Sequence, residues 1–243
     1  MPEPATDRAD RILSLWQGSW IAALVVGVAV WGLIVWAVVA YRKRDERVPA
    51  QVRYHMPIEA LYTAIPFVIV AVLFYFTARD QTAVLAVDDN DPPEHSVHVV
   101  GQQWSWTWNY LPDGEGGTAV HDIGTPERQP DLVLPVGEKV GITVTSPDVV
   151  HSFFVPAFLF KMDAFPGQEN YFELTPTREG DFKGKCAELC GTYHSRMLFT
   201  VRVVSPAEYD AHVAELERRG QTGLVSGGSD ITDQQGLEQE NAS

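Results

Sequence analysis

The segment Cys186-Ala-Glu-Leu-Cys190-Gly-Thr-Tyr-His194-Ser-Arg-Met197 brings two thiols, an imidazole and a thioether together within twelve residues. Soft sulfur donors combined with imidazole favour copper, and Cys, His and Met at this spacing let one loop wrap a copper ion. One thiolate suffices for a single copper, whereas two on the same loop can bridge a pair. A pair needs a further ligand from elsewhere in the chain. His151 is the candidate, in Ser146-Pro147-Asp148-Val149-Val150-His151-Ser152-Phe153, just after the strand-like run Lys139 to Thr145. Two other readings of the cysteines stand beside copper: a Cys186–Cys190 disulfide in an oxidising compartment, and zinc held by Cys and His. The three-residue gap between the cysteines counts against zinc, and neither alternative accounts for Met197. These are the only cysteines, so no disulfide framework is available and the fold must rest on its core.

The elements that must position these residues begin with two apolar runs. Trp20 to Tyr41 is uninterrupted by charge and matches the roughly 20 residues that cross a hydrocarbon core. Trp20, Trp31, Trp36 and Tyr41 supply aromatics at both ends, as membrane interfaces favour. Ile58 to Thr77 is the second run, interrupted only by Glu59 near its start and Pro66 inside. The connector 42–57 carries Arg42, Lys43, Arg44, Arg47 and Arg53, which the positive-inside rule places in the cytoplasm. The tail 1–19 and everything after Arg79 then lie outside. The first run exceeds the roughly 7–15 apolar residues of a signal peptide and is followed by basic residues, so a retained helical hairpin over 20–78 is expected. With no cysteine near the N-terminus, lipid attachment there is not expected.

After a linker over 79–93, the chain turns to short apolar and β-branched runs punctuated by Gly, Pro and Asp. Strands are expected at 96–101, 105–110, 131–134, 139–145, 151–155, 169–174, 180–185 and 198–204. So many short strands imply an antiparallel sandwich or barrel, and a Greek-key sandwich closed by a ligand loop is the cupredoxin plan. The expected fold class is therefore membrane-anchored all-β: a two-helix transmembrane hairpin, then a cupredoxin-like Greek-key β-sandwich over 94–205. A terminal helix over 206–220 and a disordered acidic tail over 221–243 complete the chain. In Gly101-Gln102-Gln103-Trp104-Ser105-Trp106-Thr107-Trp108-Asn109-Tyr110 the aromatics fall at every second position, which puts them on one face of a strand. His95 and His98 are three apart near a strand start, so they point to opposite faces and cannot chelate together. His121, in a Gly- and Pro-rich stretch, is the rival upstream ligand. His55 and His212 do not look like ligands.

Charge is unevenly divided. Residues 79–243 hold 11 Lys and Arg against 26 Asp and Glu, a balance of −15, while residues 1–78 hold 7 against 6, a balance of +1. Such an acidic domain repels nucleic acid and suits a basic protein partner, or serves solubility alone.

The His151 segment, the Cys-x3-Cys-x3-His-x2-Met loop and the Trp-rich strand together resemble subunit II of the haem-copper cytochrome c oxidases, over roughly residues 20–205. The resemblance implies a binuclear copper centre in which Cys186 and Cys190 bridge and His151 and His194 each cap one copper. Met197 and the backbone carbonyl of Glu188 would be the weak donors. It implies that the Glu188 carboxylate reaches a magnesium or manganese ion shared with subunit I, against the plainer reading of a solvated loop glutamate. Trp104 resembles the exposed tryptophan through which electrons enter from a c-type cytochrome. Gln102 stands where the family often has histidine. Glu59 resembles the glutamate at the mouth of a proton-uptake path, although an interfacial carboxylate at a helix start is equally ordinary. The stretch Lys161 to Gly167, with Asp163, resembles the segment that packs on subunit I, and Asp148 is either support for the metal shell or an ordinary turn residue.

The implied function is electron uptake from a c-type cytochrome and delivery to haem-bearing subunit I, which reduces oxygen and translocates protons in a bacterial plasma membrane. A quinol-oxidase subunit II would lack the copper ligands. A free-standing membrane-anchored cupredoxin, shuttling electrons or carrying copper, would need only one span. No Cys-x-x-Cys-His is present, so no covalent haem is expected on this chain.

Overall fold

The computed structural model describes residues 1–44, 46, 48, 51–112 and 117–227. Arg47 of the basic connector and the tail beyond Gly227 lie outside the described residues. The chain divides into two units, a helical one over Arg11–Val84 and a β unit that combines Leu85 onward with Met1–Asp10.

The helical unit holds α1 (Ala9–Ala40) and α2 (Met56–Val84), whose most apolar windows have mean hydropathies of 2.6 and 2.1 with none of their residues buried. Ile34, Val35 and Trp36 are all exposed, and three consecutive residues cannot share one helix face. A helix apolar all round is at home in hydrocarbon rather than water. Both helices outrun the expected spans. Arg79, Asp80 and Gln81 continue α2 through much of the expected linker, and α1 starts well before Trp20, because hydropathy marks the hydrocarbon-crossing part of a helix and not its ends. Near the C-terminal end of α2, Asp80 is buried and paired with Arg79 at 2.8 Å and Arg11 at 3.9 Å. At the other end the Glu59 carboxylate accepts the His55 amide at 2.8 Å, closing the first turn of α2.

The β unit has ten strands: β1 (His95–Gln102), β2 (Ser105–Leu111), β3 (Val120–Ile123), β4 (Asp131–Pro135), β5 (Val140–Thr145), β6 (His151–Val155), β7 (Phe160–Ala164), β8 (Asn170–Leu174), β9 (Gly180–Cys186) and β10 (Leu198–Val204). They form two five-stranded sheets, β3-β2-β1-β5-β8 and β4-β10-β9-β6-β7. The sandwich is not purely antiparallel: β1 pairs with β5, and β10 with β4, in parallel. β3 and β7 were not expected. Their sequences, Val-His-Asp-Ile and Phe-Lys-Met-Asp-Ala, are short and half polar, and pairing with β2 and β6 makes them strands.

The core between the sheets is aromatic. Trp106 stacks on Trp108 with centroids 5.9 Å apart, and Phe199 sits edge-on to both at 5.3 and 5.2 Å. Tyr110, also buried, accepts the Val133 amide, and burial pushes its phenol well above the usual range. Trp104 does not share their strand; it lies in the turn between β1 and β2. The terminal helix α3 (Pro206–Arg218) opens with a Ser205–Glu208 capping box and buries Tyr209 and Leu216.

The first residues and the stretch after α3 are both tied to this sandwich. The Ala5 amide donates to Ala157, the Thr177 amide donates to Ala5, and Asp7 exchanges bonds with the Thr175 backbone. Residues before α1 are thus a strap held against the sandwich. Likewise the expected disordered tail begins with ordered chain. Thr222 bridges Val120, and the backbone of Val225 bonds both ends of the Asn109 amide.

Candidate metal centre

β6 begins at His151 and β9 ends at Cys186, in the same sheet, and Phe153 pairs with Cys186 across the two strands. The loop from Ala187 to Met197 closes over that edge. It is held by Cys186 amide to Met197 carbonyl at 3.0 Å and Ala187 amide to Ser152 carbonyl at 3.0 Å. Gly191 turns it at φ 118°, a conformation L side chains rarely adopt, and a 3-10 turn over His194–Arg196 carries it into Met197.

This chain path brings together every protein donor expected from the sequence. The Cys186 and Cys190 sulfurs are 3.8 Å apart, His151 Nδ1 is 3.9 Å from Cys186 Sγ, and His194 Nδ1 is 3.5 Å from Cys190 Sγ. Met197 Sδ is 3.9 Å from Cys190 Sγ, and the Glu188 carbonyl is 3.2 Å from Cys186 Sγ. Bonds of roughly 2.0–2.3 Å set tetrahedral ligands roughly 3.3–3.8 Å apart, and the observed separations of 3.2–3.9 Å lie in or within about 0.1 Å of that range, as donors around one compact centre would. Both thiols are free and buried, well beyond the roughly 2.05 Å of a disulfide. His151, Cys186 and Cys190 form the single His/Cys/carboxylate cluster of this kind among the described residues. With a buried thioether beside it, this donor set fits copper.

Asp148 sets the His151 ring. One carboxylate oxygen lies 2.9 Å from His151 Nε2 and also accepts Ser146 Oγ and the Val149 amide; the other accepts the Gln103 amide at 2.7 Å. With Nε2 carrying the proton, Nδ1 is left to face the sulfurs. Burial pushes the Asp148 carboxyl up, but the bonds from His151 and the two amides outweigh it and hold it below the usual carboxylate range. Burial pulls the metal-free His151 imidazole down, and Asp148 and Cys186 reverse the sign. The two thiols separate: burial opposes both thiolates, yet His151 and nearby backbone bonds lower Cys186, while burial and the Cys186 charge raise Cys190.

Trp104 departs from expectation. Its side chain is 9% exposed, its indole N–H donates to the Cys190 carbonyl at 3.2 Å, and Tyr193 stands edge-on at 5.0 Å. It is covered because the metal loop folds over it. Gly101 was not singled out by sequence. A Cβ there would lie 2.9 Å from Trp106 and 3.2 Å from His151, so its bareness lets both approach. Gln103 was likewise missed, although its place beside Trp104 in the Trp-rich motif was a signal.

Other expected residues lie elsewhere. Glu188 turns its side chain to solvent. His95 bonds Glu138 and His98 bonds Thr145, each at 2.7 Å and separately. His121 bonds the Gly223 carbonyl, and His212 lies against Tyr110, so neither joins the cluster. Asp163 sits on β7 beside Lys161 at 2.8 Å. Burial pushes its carboxyl up, and Lys161 and Ser152 outweigh that to hold it low.

Comparison with known proteins points to one family. The sequence model described as cytochrome C oxidase subunit II, periplasmic domain, matches residues 95–204. A probable cytochrome c oxidase subunit 2 of Streptomyces avermitilis is 49% identical, over 94% of this chain and 82% of the relative. The cytochrome c oxidase subunit 2 of Mycobacterium tuberculosis is 36% identical, over 88% of this chain and 74% of the relative. The crystal structure of the periplasmic domain of subunit II from Bradyrhizobium japonicum is 30% identical over 52% of this chain and 96% of that one, with a TM-score of 0.46. By the extent and identity of its relatives, the chain belongs to the cytochrome c oxidase subunit 2 family.

Proposed function

We propose that the cluster is a binuclear copper centre that accepts electrons from a c-type cytochrome and hands them to haem-bearing subunit I for oxygen reduction coupled to proton translocation. One observation carries this reading: two free, buried thiols 3.8 Å apart, each with an imidazole Nδ1 within 3.9 Å. Copper bound there would supply a one-electron couple, and sharing its charge with both sulfurs would keep the rearrangement on each transfer small. Cys186 and Cys190 would hold the pair together by their sulfurs, His151 and His194 would each supply a ring nitrogen, and Met197 and the Glu188 carbonyl would be the weak donors. Burial of the sulfurs excludes water from them. Trp104 offers a route inward, since its indole is hydrogen-bonded to the backbone of Cys190. This chain transfers electrons and leaves oxygen chemistry to its partner.

The solvent-facing Glu188 carboxylate is placed to meet a hard divalent ion, magnesium or manganese, shared with subunit I. Arg42, Lys43, Arg44 and Arg53 support a cytoplasmic connector, and with it a copper domain on the outer face of a bacterial membrane. Glu59 then lies on the proton-uptake side, where it also caps α2. Glu59→Gln in the assembled oxidase is expected to slow proton uptake; unchanged kinetics would leave capping as its only role.

The test is electron paramagnetic resonance of the copper-loaded full chain. Hyperfine splitting from one electron shared by two equivalent coppers supports the proposal. A single-copper spectrum, or no copper uptake by the reduced protein, overturns it. Consistent purification without a haem-bearing subunit would instead favour a free-standing cupredoxin.

A further inference from the structure

The metal donors come from two stretches of chain, and one residue outside them bonds to both. Gln103 occupies the two-residue turn between β1 and β2, closed by the Gln102–Ser105 pair. Its backbone N–H donates to Asp148 Oδ2 at 2.7 Å, and Asp148 Oδ1 holds His151 Nε2 at 2.9 Å. Its side-chain Nε2 donates to the Cys190 carbonyl, also at 2.7 Å. A carbonyl can only accept, so the amide nitrogen is the atom that faces it. The same carbonyl takes the Trp104 indole at 3.2 Å, which fills both of its lone pairs.

The contact is built rather than incidental. Gly191, the next residue, holds φ 118°, and a Cβ there would stand 3.0 Å from Gln103 Nε2 and 3.2 Å from the Trp104 ring. The loop thus lies tightly against the turn, in a backbone conformation that favours glycine. From Gly191 the hold passes on, because the His194 amide donates to the Gly191 carbonyl at 3.2 Å. A continuous hydrogen-bonded path therefore runs His151–Asp148–Gln103–Cys190 without passing through any metal position.

We propose that Gln103 is a positioning residue of the metal centre, fixing the separation between the upstream imidazole and the Cys190 end of the ligand loop. Asp148 orients one ligand; Gln103 joins that orientation to the opposite half of the site. Groups bonded to ligands, though not to metal, commonly govern how well a site holds its ion. This inference rests on the copper reading above, but its first readout needs no copper.

The experiment uses the full chain in lipid nanodiscs, native and with Gln103→Leu, Gln103→Glu or Gln103→Lys. In the reduced, metal-free protein, the Leu variant is expected to exchange the His194 amide roughly five- to tenfold faster, the effect of one lost neutral hydrogen bond. Copper-loaded, it should release copper faster, with an altered hyperfine pattern. The Lys variant restores a donor of similar reach and should return both readouts toward native. The Glu variant places an acceptor against the carbonyl and should resemble Leu. Native exchange and copper release in the Leu variant would overturn the proposal. Should Leu not fold, identical behaviour of Lys and Glu would overturn it equally. Failure of the native chain to bind copper would sink the proposed function, while the exchange measurement would still decide the role of Gln103.

Discussion

The two arms of the metal centre are built in opposite ways. The downstream arm, Cys186 to Met197, carries all but one of the donors within a single loop, and its own backbone bonds, such as Cys186 to Met197 and His194 to Gly191, shape it. The upstream arm contributes only His151. That one ring depends on Asp148 for its tautomer, on Gly101 for room, and on Trp106, whose ring lies edge-on at 6.3 Å. The contrast separates ligand supply from ligand aim. A short loop can supply most of a metal site by itself, but the remaining ligand must be aimed by residues scattered through the fold.

The largest break in this comparison is expected from Cys190→Ser. Serine preserves the loop but removes one of the two sulfurs proposed to bridge, so the shared-electron spectrum and electron uptake from a c-type cytochrome should both be abolished. A two-copper signal surviving in that variant would refute the bridging role. Asp148→Asn sharpens the other side. The amide keeps the shape but loses the charge that orients His151, and copper affinity should fall roughly 10–100-fold, the usual cost of losing such a contact. Competitive chelator titration measures it, and native affinity would mean that the loop alone fixes the site. The smallest effect concerns the scaffold under both arms. Burial holds the His98 and His212 imidazoles below their ordinary value of 6.5, the main cause in each case. The unfolded chain therefore takes up these protons first, and the stability they contribute is present above pH 6.5 and lost as pH falls through the folded values. Thermal melts between pH 7.5 and pH 5.5 should show a falling midpoint, partly flattened in His212→Gln.

Residues differ in how much of this was readable from their neighbours in sequence. Cys186, Cys190, His194 and Met197 announce themselves, because three sulfur donors and an imidazole in twelve residues are improbable by other means. The apolar runs announce the hairpin for the same reason: local composition carries the signal. The edge strands β3 and β7 do not, since half-polar four- and five-residue runs become strands only when a neighbour pairs with them. Trp104 misled, as periodicity placed it in line with Trp106 and could not show the turn that swings it beneath the metal loop. The strap before α1 and the ordered stretch through Gly227 were hidden too, because their partners, at Ala157, Thr175 and Asn109, are far away in sequence.

By itself, the sequence determined which candidate donors share one loop, the apolar character of α1 and α2, and the all-β class of the domain that follows them. Each of these follows from residue type and short-range spacing, which act before the chain has any shape. Tertiary structure alone decided which sulfur lies nearest which imidazole, that Trp104 is covered, and that Gln103 links Asp148 to Cys190. Those are contacts between segments tens of residues apart, and they exist only once the two sheets close and bring the β1–β2 turn against the ligand loop.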